Sequence, residues 1–206
     1  MYRLYDYPPS GNGYKVRLLL SQLAIPFDYI ELDILKGETR TPEFLAKNPN
    51  GRIPLLELEP GNYLAESNAI LFYLAQGTPL WPENTLARTQ VLQWMFFEQY
   101  SHEPNIATPR FWLCHLPELN TYQEAALPYK QEQGYQALTV MDQHLANRDF
   151  FVQGQYTIAD IALYAYTHVA HEGGFDLEQF SQVRRWLHRV ASQPNYVPIS
   201  QTEFAG

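Results

Sequence analysis

RLYDYPPSGNGYKVRLLLSQLAIPFDYIEL, residues 3–32, decides the fold of the first part of this chain. Its first residues are rich in aromatic side chains and predict a strand, and the dense run of Pro, Gly and Asn that follows predicts a loop. Apolar residues then recur at i, i+3, i+4 and i+7 from Val16 to Leu23, which is one face of a helix. Pro26 ends that helix, and residues 27–32 alternate as a second strand. These elements predict a βαβ unit with a right-handed crossover.

The same kind of pattern continues to residue 76. Thr41-Pro42 is typical of a helix N-cap followed by proline at the first helical position. Two short strands around a Pro-Gly-Asn turn at 60–62 predict a hairpin, and residues 68–76 predict one more helix. We therefore expect the order βαβαββα over residues 1–76.

The second part of the chain reads as helical only. Two prolines and a glycine in residues 77–84 indicate a linker, and no strand pattern follows it. An all-helical bundle domain is expected over residues 85–206, so the fold class is α/β followed by all-α. Its predicted helices span residues 85–115, 119–145, 157–171 and 178–191. Three prolines should kink or interrupt them: Pro104, Pro109 and Pro128. Thr157 and Asp160 have the spacing of a capping box for a largely buried helix.

Composition excludes several classes of partner. The 206 residues carry a formal net charge of −8, and neither predicted domain has a basic excess. This argues against nucleic acid and anionic membranes as partners. A single cysteine, Cys114, cannot form an intrachain disulfide, and no signal-peptide pattern follows Met1. We expect a cytoplasmic protein without a membrane span.

Four motifs, in order and at matching spacing, carry a resemblance to a known family. They are SGNGYKVR at 10–17, NPNGRIP at 48–54, ESNAI at 66–70 and TIAD at 157–160. The chain resembles a cytosolic glutathione S-transferase over nearly all of its length. The resemblance implies a thioredoxin-like glutathione-binding domain followed by a helical domain that receives the second substrate. The serine-type loop and short length point to a bacterial enzyme, with the cyanobacterial chi-like class as the suggested subclass.

The reaction of that family requires a thiolate, because a thiol is a poor nucleophile. Lowering a thiol pKa from about 8.5 to about 6.5 requires about 2.7 kcal/mol of preferential stabilisation of the anion. The resemblance assigns this role to Ser10, just before the first helix, where a hydroxyl donor and the helix N-terminus act together. Ser10 is equally suited to capping the helix. Asn12, Tyr5 and Tyr7 are the alternative donors.

The resemblance also assigns the other glutathione contacts. It implies a cis peptide bond between Ile53 and Pro54, with the Ile53 main chain pairing with the cysteinyl backbone of glutathione. Glu66 and Ser67 would bind the γ-glutamyl ammonium and carboxylate. Serine-type relatives place histidines for the glycyl carboxylate at the positions of Thr39 and Gly51, which this chain lacks. The neighbouring arginines are the candidates for that role: Arg40 and Arg52.

The second substrate is expected to be a small hydrophobic electrophile bound between the domains, since apolar walls with a few polar groups suit such a molecule. The candidate lining residues are Tyr100, Pro104, Ile106, Arg110 and Phe111. An ion pair of Arg110 with Glu98 or Glu103 is the alternative role for the arginine. The expected reaction is conjugation of glutathione to soft electrophiles in detoxification, with glutathione as cosubstrate and no metal or other cofactor.

Two other functions stay open at the level of sequence. A glutathione-dependent disulfide or peroxide reductase is one, although the family's redox members carry a cysteine near the position of Ser10. A transferase-like binding protein without catalysis is the other. The resemblance also implies a homodimer. Four consecutive bulky residues, Trp94 to Phe97, agree with this because they point to every side of a helix and exceed what one core can bury.

Overall fold

The computed structural model describes residues 1–204, and these form two compact units. One unit contains residues 1–77 together with the segment that begins at Gln193, and the other contains residues 78–192. The sequence had placed that last segment in the helical domain. Its hydrogen bonds to the first unit, described below, explain why it belongs there instead. Within residues 1–204, no helix combines the length and apolarity that crossing a membrane requires.

The first unit is built on a mixed sheet of four strands. The strands are β1 (Tyr2–Asp6), β2 (Phe27–Glu31), β3 (Leu55–Glu59) and β4 (Asn62–Ala65). They lie in the order β2-β1-β3-β4, with β1 parallel to β2 and the other pairs antiparallel. The helices are α1 (Gly11–Gln22), α2 (Pro42–Leu45) and α3 (Ser67–Ala75). The predicted order βαβαββα and the thioredoxin-like class are confirmed.

Helix α1 is buried along most of its length, including its charged residues. The Arg17 Nε lies 2.9 Å from the Asp6 Oδ2, and both side chains are fully buried. Burial raises the pKa of Asp6 to about 7, and the charge of Arg17 opposes that rise. Asp6 is also the reason why residue 13 is a glycine, because a Cβ at that position would lie 1.5 Å from the Asp6 Oδ1. The start of α1 can therefore approach β1 only with a glycine there.

The segment after residue 192 is held on the first unit by main-chain acceptors. The Tyr14 hydroxyl donates to the Val197 carbonyl at 2.7 Å. The Arg17 Nη1 donates to the carbonyls of Ile199 at 2.9 Å and Gln201 at 2.8 Å. The Phe204 ring packs against the Phe27 ring of β2, with the ring centroids 4.9 Å apart. We call residues 193–204 the C-terminal clasp.

The second unit is helical, as predicted. Its helices are α4 (Thr85–Phe97), α5 (Glu103–His115), α6 (Thr121–Leu145), α7 (Ile158–Thr167) and α8 (Ser181–Ala191). The helix predicted over 85–115 is divided by a π-helical turn at Glu98–His102. Pro104 follows in the first turn of α5, directly after the π-helical turn, and has no N–H to donate back into that turn. The helix predicted over 157–171 ends at Thr167 and is followed by a 3-10 turn, Ala170–Gly173.

Helix α7 lies at the centre of the second unit, and all of its residues are buried. The predicted capping box is present: the Asp160 side chain accepts from the Thr157 main chain at 2.9 Å. Asp160 also accepts from the Phe151 main-chain N–H at 3.1 Å and from the Trp186 Nε1 at 2.9 Å. One carboxylate therefore joins the helix start to α8 and to the preceding loop.

Candidate functional site

The start of α1 has the geometry of a capped helix. Ser10 has extended backbone angles, and its Oγ accepts from the Gly13 N–H at 3.2 Å. The side chain is half-buried. A serine oxygen that accepts one N–H can still donate its own hydrogen. Capping and donation to a ligand sulfur are therefore compatible at Ser10.

Asn12, in the first turn of the same helix, belongs to a small polar network. Its Oδ1 accepts from the Lys15 Nζ at 2.8 Å and from the Ser67 Oγ at 3.3 Å. The Lys15 Nζ also lies 3.4 Å from the Ser67 Oγ, within hydrogen-bond reach. Lys15 is fully buried, Ser67 is nearly so, and Asn12 is half-buried. The network brings the N-terminal turns of α1 and α3 together.

The start of α3 combines a strained residue with a buried hydroxyl. Glu66 has φ of +69°, a left-handed value that non-glycine residues adopt rarely and at a cost. Its side chain is exposed, whereas Ser67 begins the helix and is buried. Neither α1 nor α3 has an acidic residue in its first turn. Both helix N-termini therefore keep their partial positive charge available to an anion.

The loop before β3 contains the predicted cis bond, between Ile53 and Pro54. The Arg40 side chain contacts this loop: its Nη1 donates to the Asn50 carbonyl at 3.0 Å. Gly51 has φ of +61°, and a Cβ there would lie 2.5 Å from the Arg40 Nη1 and 2.9 Å from the Thr39 carbonyl. A histidine cannot occupy position 51 in this arrangement. The arginine thus stands where the resemblance expected a histidine pair.

The remaining glycyl candidate and the two tyrosines lie in different surroundings. The Arg52 side chain is exposed. The Tyr5 hydroxyl donates to the Glu57 Oε2 at 3.0 Å, and burial followed by this hydrogen bond raises the pKa of Tyr5. A tyrosine held by a carboxylate is a poor donor to a second anion. Tyr7 is half-buried just after β1, and its carbonyl accepts from the Ser10 N–H at 2.8 Å.

The residues proposed for the electrophile lie on the π turn and α5 of the helical unit, with different exposures. Tyr100 is 87% exposed, whereas Ile106 is fully buried in the core of the unit. Pro104 and Phe111 are half-buried. Arg110 forms an ion pair, which is the alternative role expected for it: its Nε lies 2.7 Å from the Glu172 Oε2. Glu172 lies in the 3-10 turn after α7, so no local spacing could have indicated it.

Lys15 is the site residue that sequence reasoning missed. Lys15 lies within the motif SGNGYKVR at 10–17, but the sequence alone indicates no role for it. Its signal is a lysine three residues after Asn12, a spacing that places both side chains on one face of the helix. A charged side chain on a helix that packs into a core requires a polar partner there.

The comparisons with known proteins show the family to which the chain belongs. Residues 1–76 match the family described as the N-terminal domain of glutathione S-transferase, and residues 96–194 match the family described as its C-terminal domain. The chain belongs to the glutathione S-transferase family. Its expected two-domain fold is thereby confirmed.

Three relatives illustrate the range of the family. A structure described as a possible glutathione S-transferase from Rhodopseudomonas palustris is 54% identical, with a TM-score of 0.95, over 98% of this chain and 99% of that one. The disulfide-bond oxidoreductase YfcG of Escherichia coli K12 is 30% identical over 91% of this chain and 89% of its own length. Ure2p in complex with glutathione is 27% identical, with a TM-score of 0.83, over 94% and 90% of the two chains. None of these is described as chi-like, so that subclass stays a prediction.

Proposed function

We propose that the chain binds glutathione where the N-termini of α1 and α3 meet and transfers its thiolate to soft organic electrophiles. The observation that carries this proposal is the 3.3 Å contact between the Ser67 Oγ and the Asn12 Oδ1. It places two helix N-termini without acidic first-turn residues side by side. Glutathione offers a matching pair of anions, because its thiolate and its γ-glutamyl carboxylate belong to adjacent residues of one peptide.

Ser10 is our candidate for stabilising the thiolate. Its oxygen is held by the Gly13 N–H, so the hydroxyl hydrogen can be directed at a sulfur beside the helix start. Asn12 is the second donor in the same turn. One charge-assisted hydrogen bond and the field of the helix N-terminus together can supply the roughly 2.7 kcal/mol that a useful thiolate requires.

The rest of the peptide has candidate partners in the same unit. Ser67 is suited to the γ-glutamyl carboxylate, and the exposed Glu66 carboxylate to the ammonium beside it. The strained backbone of Glu66 is typical of a residue held in place for binding. The Ile53 main chain is assigned to the cysteinyl backbone by the family resemblance. Arg40 is our candidate for the glycyl carboxylate, with Arg52 as the alternative.

The exposures in the helical unit narrow the proposal for the second substrate. Tyr100, Pro104 and Phe111 have surface that a ligand can touch. Ile106 is fully buried and would support them from the core. Arg110 is held by Glu172, so we assign it to fixing α5 against the turn after α7 and not to polarising the electrophile.

Glutathione-dependent disulfide reduction is the second candidate function. The relative YfcG is described as a disulfide-bond oxidoreductase, and this chain matches 89% of its length. Position 10 is a serine, so such a reaction would exchange disulfides between two glutathione molecules and the substrate without a mixed disulfide at Ser10.

One panel of assays with glutathione separates the two reactions. The substrates are an aryl halide, an isothiocyanate, an epoxide, a hydroperoxide and a small dialkyl disulfide. Turnover of any of the first three supports conjugation. Turnover of the disulfide alone supports reduction. Binding of glutathione with no turnover of any substrate would support a binding protein and contradict both enzymatic proposals.

The proposed assembly is a homodimer. Of the four bulky residues in α4, Trp94 and Met95 are buried in the helical unit, whereas Phe96 is 71% exposed. Leu86, at the start of the same helix, is 61% exposed. A second copy would remove these side chains from water. Light scattering at low micromolar concentration should give twice the 23.9 kDa of one chain. Phe96→Glu should shift that mass toward one chain, and a wild-type mass of one chain would contradict the proposal.

A further inference from the structure

We propose that Lys15 is a positioning residue that sets which end of the Asn12 amide faces the glutathione thiol. This inference rests on the proposed function, because it concerns the same thiolate site. Lys15 acts in it through Asn12 and does not touch the substrate. The contacts that carry it lie in the first two turns of α1 and at the first residue of α3.

The two hydrogen bonds on the Asn12 Oδ1 fix the orientation of the amide. An asparagine side chain has an acceptor oxygen at one end and a donor NH2 at the other. The Lys15 ammonium can only donate, so the oxygen must face it at 2.8 Å. The Ser67 hydroxyl lies 3.3 Å from the same oxygen. A flipped amide would set its NH2 against the ammonium. The NH2 is therefore directed away from Lys15 and Ser67.

Binding of glutathione should change the role of Ser67 but not that of Lys15. A serine has one hydroxyl hydrogen, and in this structure the Ser67 hydrogen is directed at Asn12. A carboxylate at the start of α3 is the stronger acceptor and should draw that hydrogen to itself. The Lys15 ammonium has three hydrogens and keeps its bond to the Asn12 Oδ1. Lys15 thus holds the amide in place when the substrate has taken Ser67.

Burial makes the arrangement rigid. Lys15 is fully buried, and Ser67 is 5% exposed. Water therefore has little access to the network, and its hydrogen bonds are stronger than they would be in solvent. An NH2 held in one direction beside a helix N-terminus is a preorganised donor for a thiolate. Removing the Lys15 ammonium takes this hydrogen bond from the Asn12 Oδ1, so the amide would be oriented less firmly and the donor misdirected in part of the molecules.

The test compares Lys15→Met with the wild type. Methionine fills the space with a chain of similar length but donates no hydrogen bond. We expect kcat to fall roughly tenfold to a hundredfold, as for the loss of part of one anion-stabilising donor. The pKa of bound glutathione, followed by thiolate absorbance against pH, should rise by about one for each tenfold loss of thiolate stabilisation. The KM for glutathione should change much less than kcat, because Ser67 keeps its hydroxyl for the carboxylate. An unchanged thiol pKa in a folded Lys15→Met protein would overturn the proposal.

A double-mutant cycle separates positioning from a general structural effect. If Lys15 acts through Asn12, then Lys15→Met should cost almost nothing in kcat when added to Asn12→Ala. The same change added to Ser10→Ala should keep its full cost. Additivity with Asn12→Ala would overturn the proposal, since Lys15 would then act by another route.

Asn12→Asp tests the orientation if Lys15→Met does not fold. Aspartate keeps an oxygen for Lys15 and Ser67 but presents a second oxygen where the NH2 stood. It should raise the thiol pKa more than Asn12→Ala does, because an anion now faces the thiolate. A thiol pKa equal to the wild-type value would overturn the inference. A wild-type protein that forms no glutathione thiolate would instead sink the proposed function itself.

Discussion

Two helix starts in this molecule are capped in similar ways and differ in what they do with their positive charge. At α7 the Thr157 and Asp160 side chains are both fully buried, and the carboxylate accepts from the main chain of its own turn and from Trp186. At α1 the Ser10 cap is half-buried, and the first turn contains no acidic residue. The α7 start has an acidic residue in its own first turn, whereas the α1 start has none there, and the Asp6 carboxyl that lies against Gly13 is paired with Arg17.

This difference indicates how the same local structure serves stability in one place and binding in another. A helix N-terminus favours a negative charge beside it. Where the chain supplies that charge, its hydrogen bonds hold the helix start in the core. Where the chain leaves the position open and accessible, a ligand can supply the charge. The α3 start adds a second open position beside the first, with the Ser67 hydroxyl between them.

The largest effect is expected from removing the built-in anion. Asp160→Ala leaves the buried donors of Phe151, Thr157 and Trp186 without their acceptor. Unsatisfied buried donors cost about 1–3 kcal/mol each, so the free energy of unfolding should fall by roughly 3–5 kcal/mol. Denaturant unfolding measures it. Glutathione affinity of the folded fraction should stay within about twofold, by the additivity of distant sites.

A matched control is available in the same unit. Asp142 is half-buried, and its Oδ1 accepts from the main-chain N–H groups of Gln182 and Val183 at the start of α8. Asp142→Ala removes these capping hydrogen bonds from a half-buried position, so the free energy of unfolding should fall by about 1 kcal/mol. Equal losses for the two alanine variants would contradict the distinction between the buried helix start and an ordinary cap.

The next effect concerns the open start of α1. Ser10→Ala removes the proposed thiolate donor, so turnover should fall about 10- to 1000-fold and the pKa of bound glutathione should rise. Stability should fall by only about 1 kcal/mol, since the hydroxyl also caps the helix. The pH dependence of kcat/KM is the decisive measurement. An unchanged profile would move the role to Asn12 or to Tyr7.

A smaller effect follows from the pH dependence of the buried carboxyl. Burial raises the pKa of Asp160 to about 6 in the folded protein, from 3.8 without the fold. The folded state therefore binds the Asp160 proton more tightly than the unfolded state does. Protonation of Asp160 thus stabilises the fold at low pH, and this contribution is lost as the pH rises through about 6. Relative to Asp160→Asn, the free energy of unfolding of the wild type should rise by about 1 kcal/mol when the pH is lowered from about 7 to about 5. Unfolding curves that run parallel over this range would contradict the raised pKa.

The smallest effect is expected at a capping box in solvent. Asn120 caps α6, accepts from the Gln123 N–H at 3.0 Å, and is exposed. Asn120→Ala should lower the free energy of unfolding by only about 0.5–1 kcal/mol and leave turnover unchanged. Thermal unfolding and the conjugation assay together measure this. A loss as large as that of Asp160→Ala would show that burial is not what separates the two boxes.

The parts of the fold that could be predicted are those with local causes. The βαβαββα order follows from turn residues and from apolar periodicity, and the Thr157–Asp160 box follows from a spacing of three residues. Pro109 and Pro128 were expected to kink or interrupt their helices but lie inside α5 and α6 without interrupting them, whereas Pro104 marks the break between α4 and α5. The π-helical form of this break at Glu98–His102 has no comparable signal in the sequence.

The features that escaped prediction depend on residues far apart in the chain. Ser67 meets Asn12 and Lys15 across more than fifty positions, and Arg110 meets Glu172 across sixty-two. Nothing in the local spacing of Lys15 indicates which side chain its ammonium reaches. The site could be named from motifs, but the hydrogen bonds that orient its members required the fold.

The C-terminal clasp has a consequence for synthesis. Tyr14 and Arg17 are translated early, but the carbonyls that accept their hydrogen bonds belong to Val197, Ile199 and Gln201. On a translating ribosome the first unit therefore cannot complete the hydrogen bonds of α1 until the whole helical unit has been made. A chain that stopped before residue 197 would leave the Arg17 guanidinium with Asp6 and the Pro8 carbonyl but without the two clasp acceptors, and we expect its first unit to be less stable.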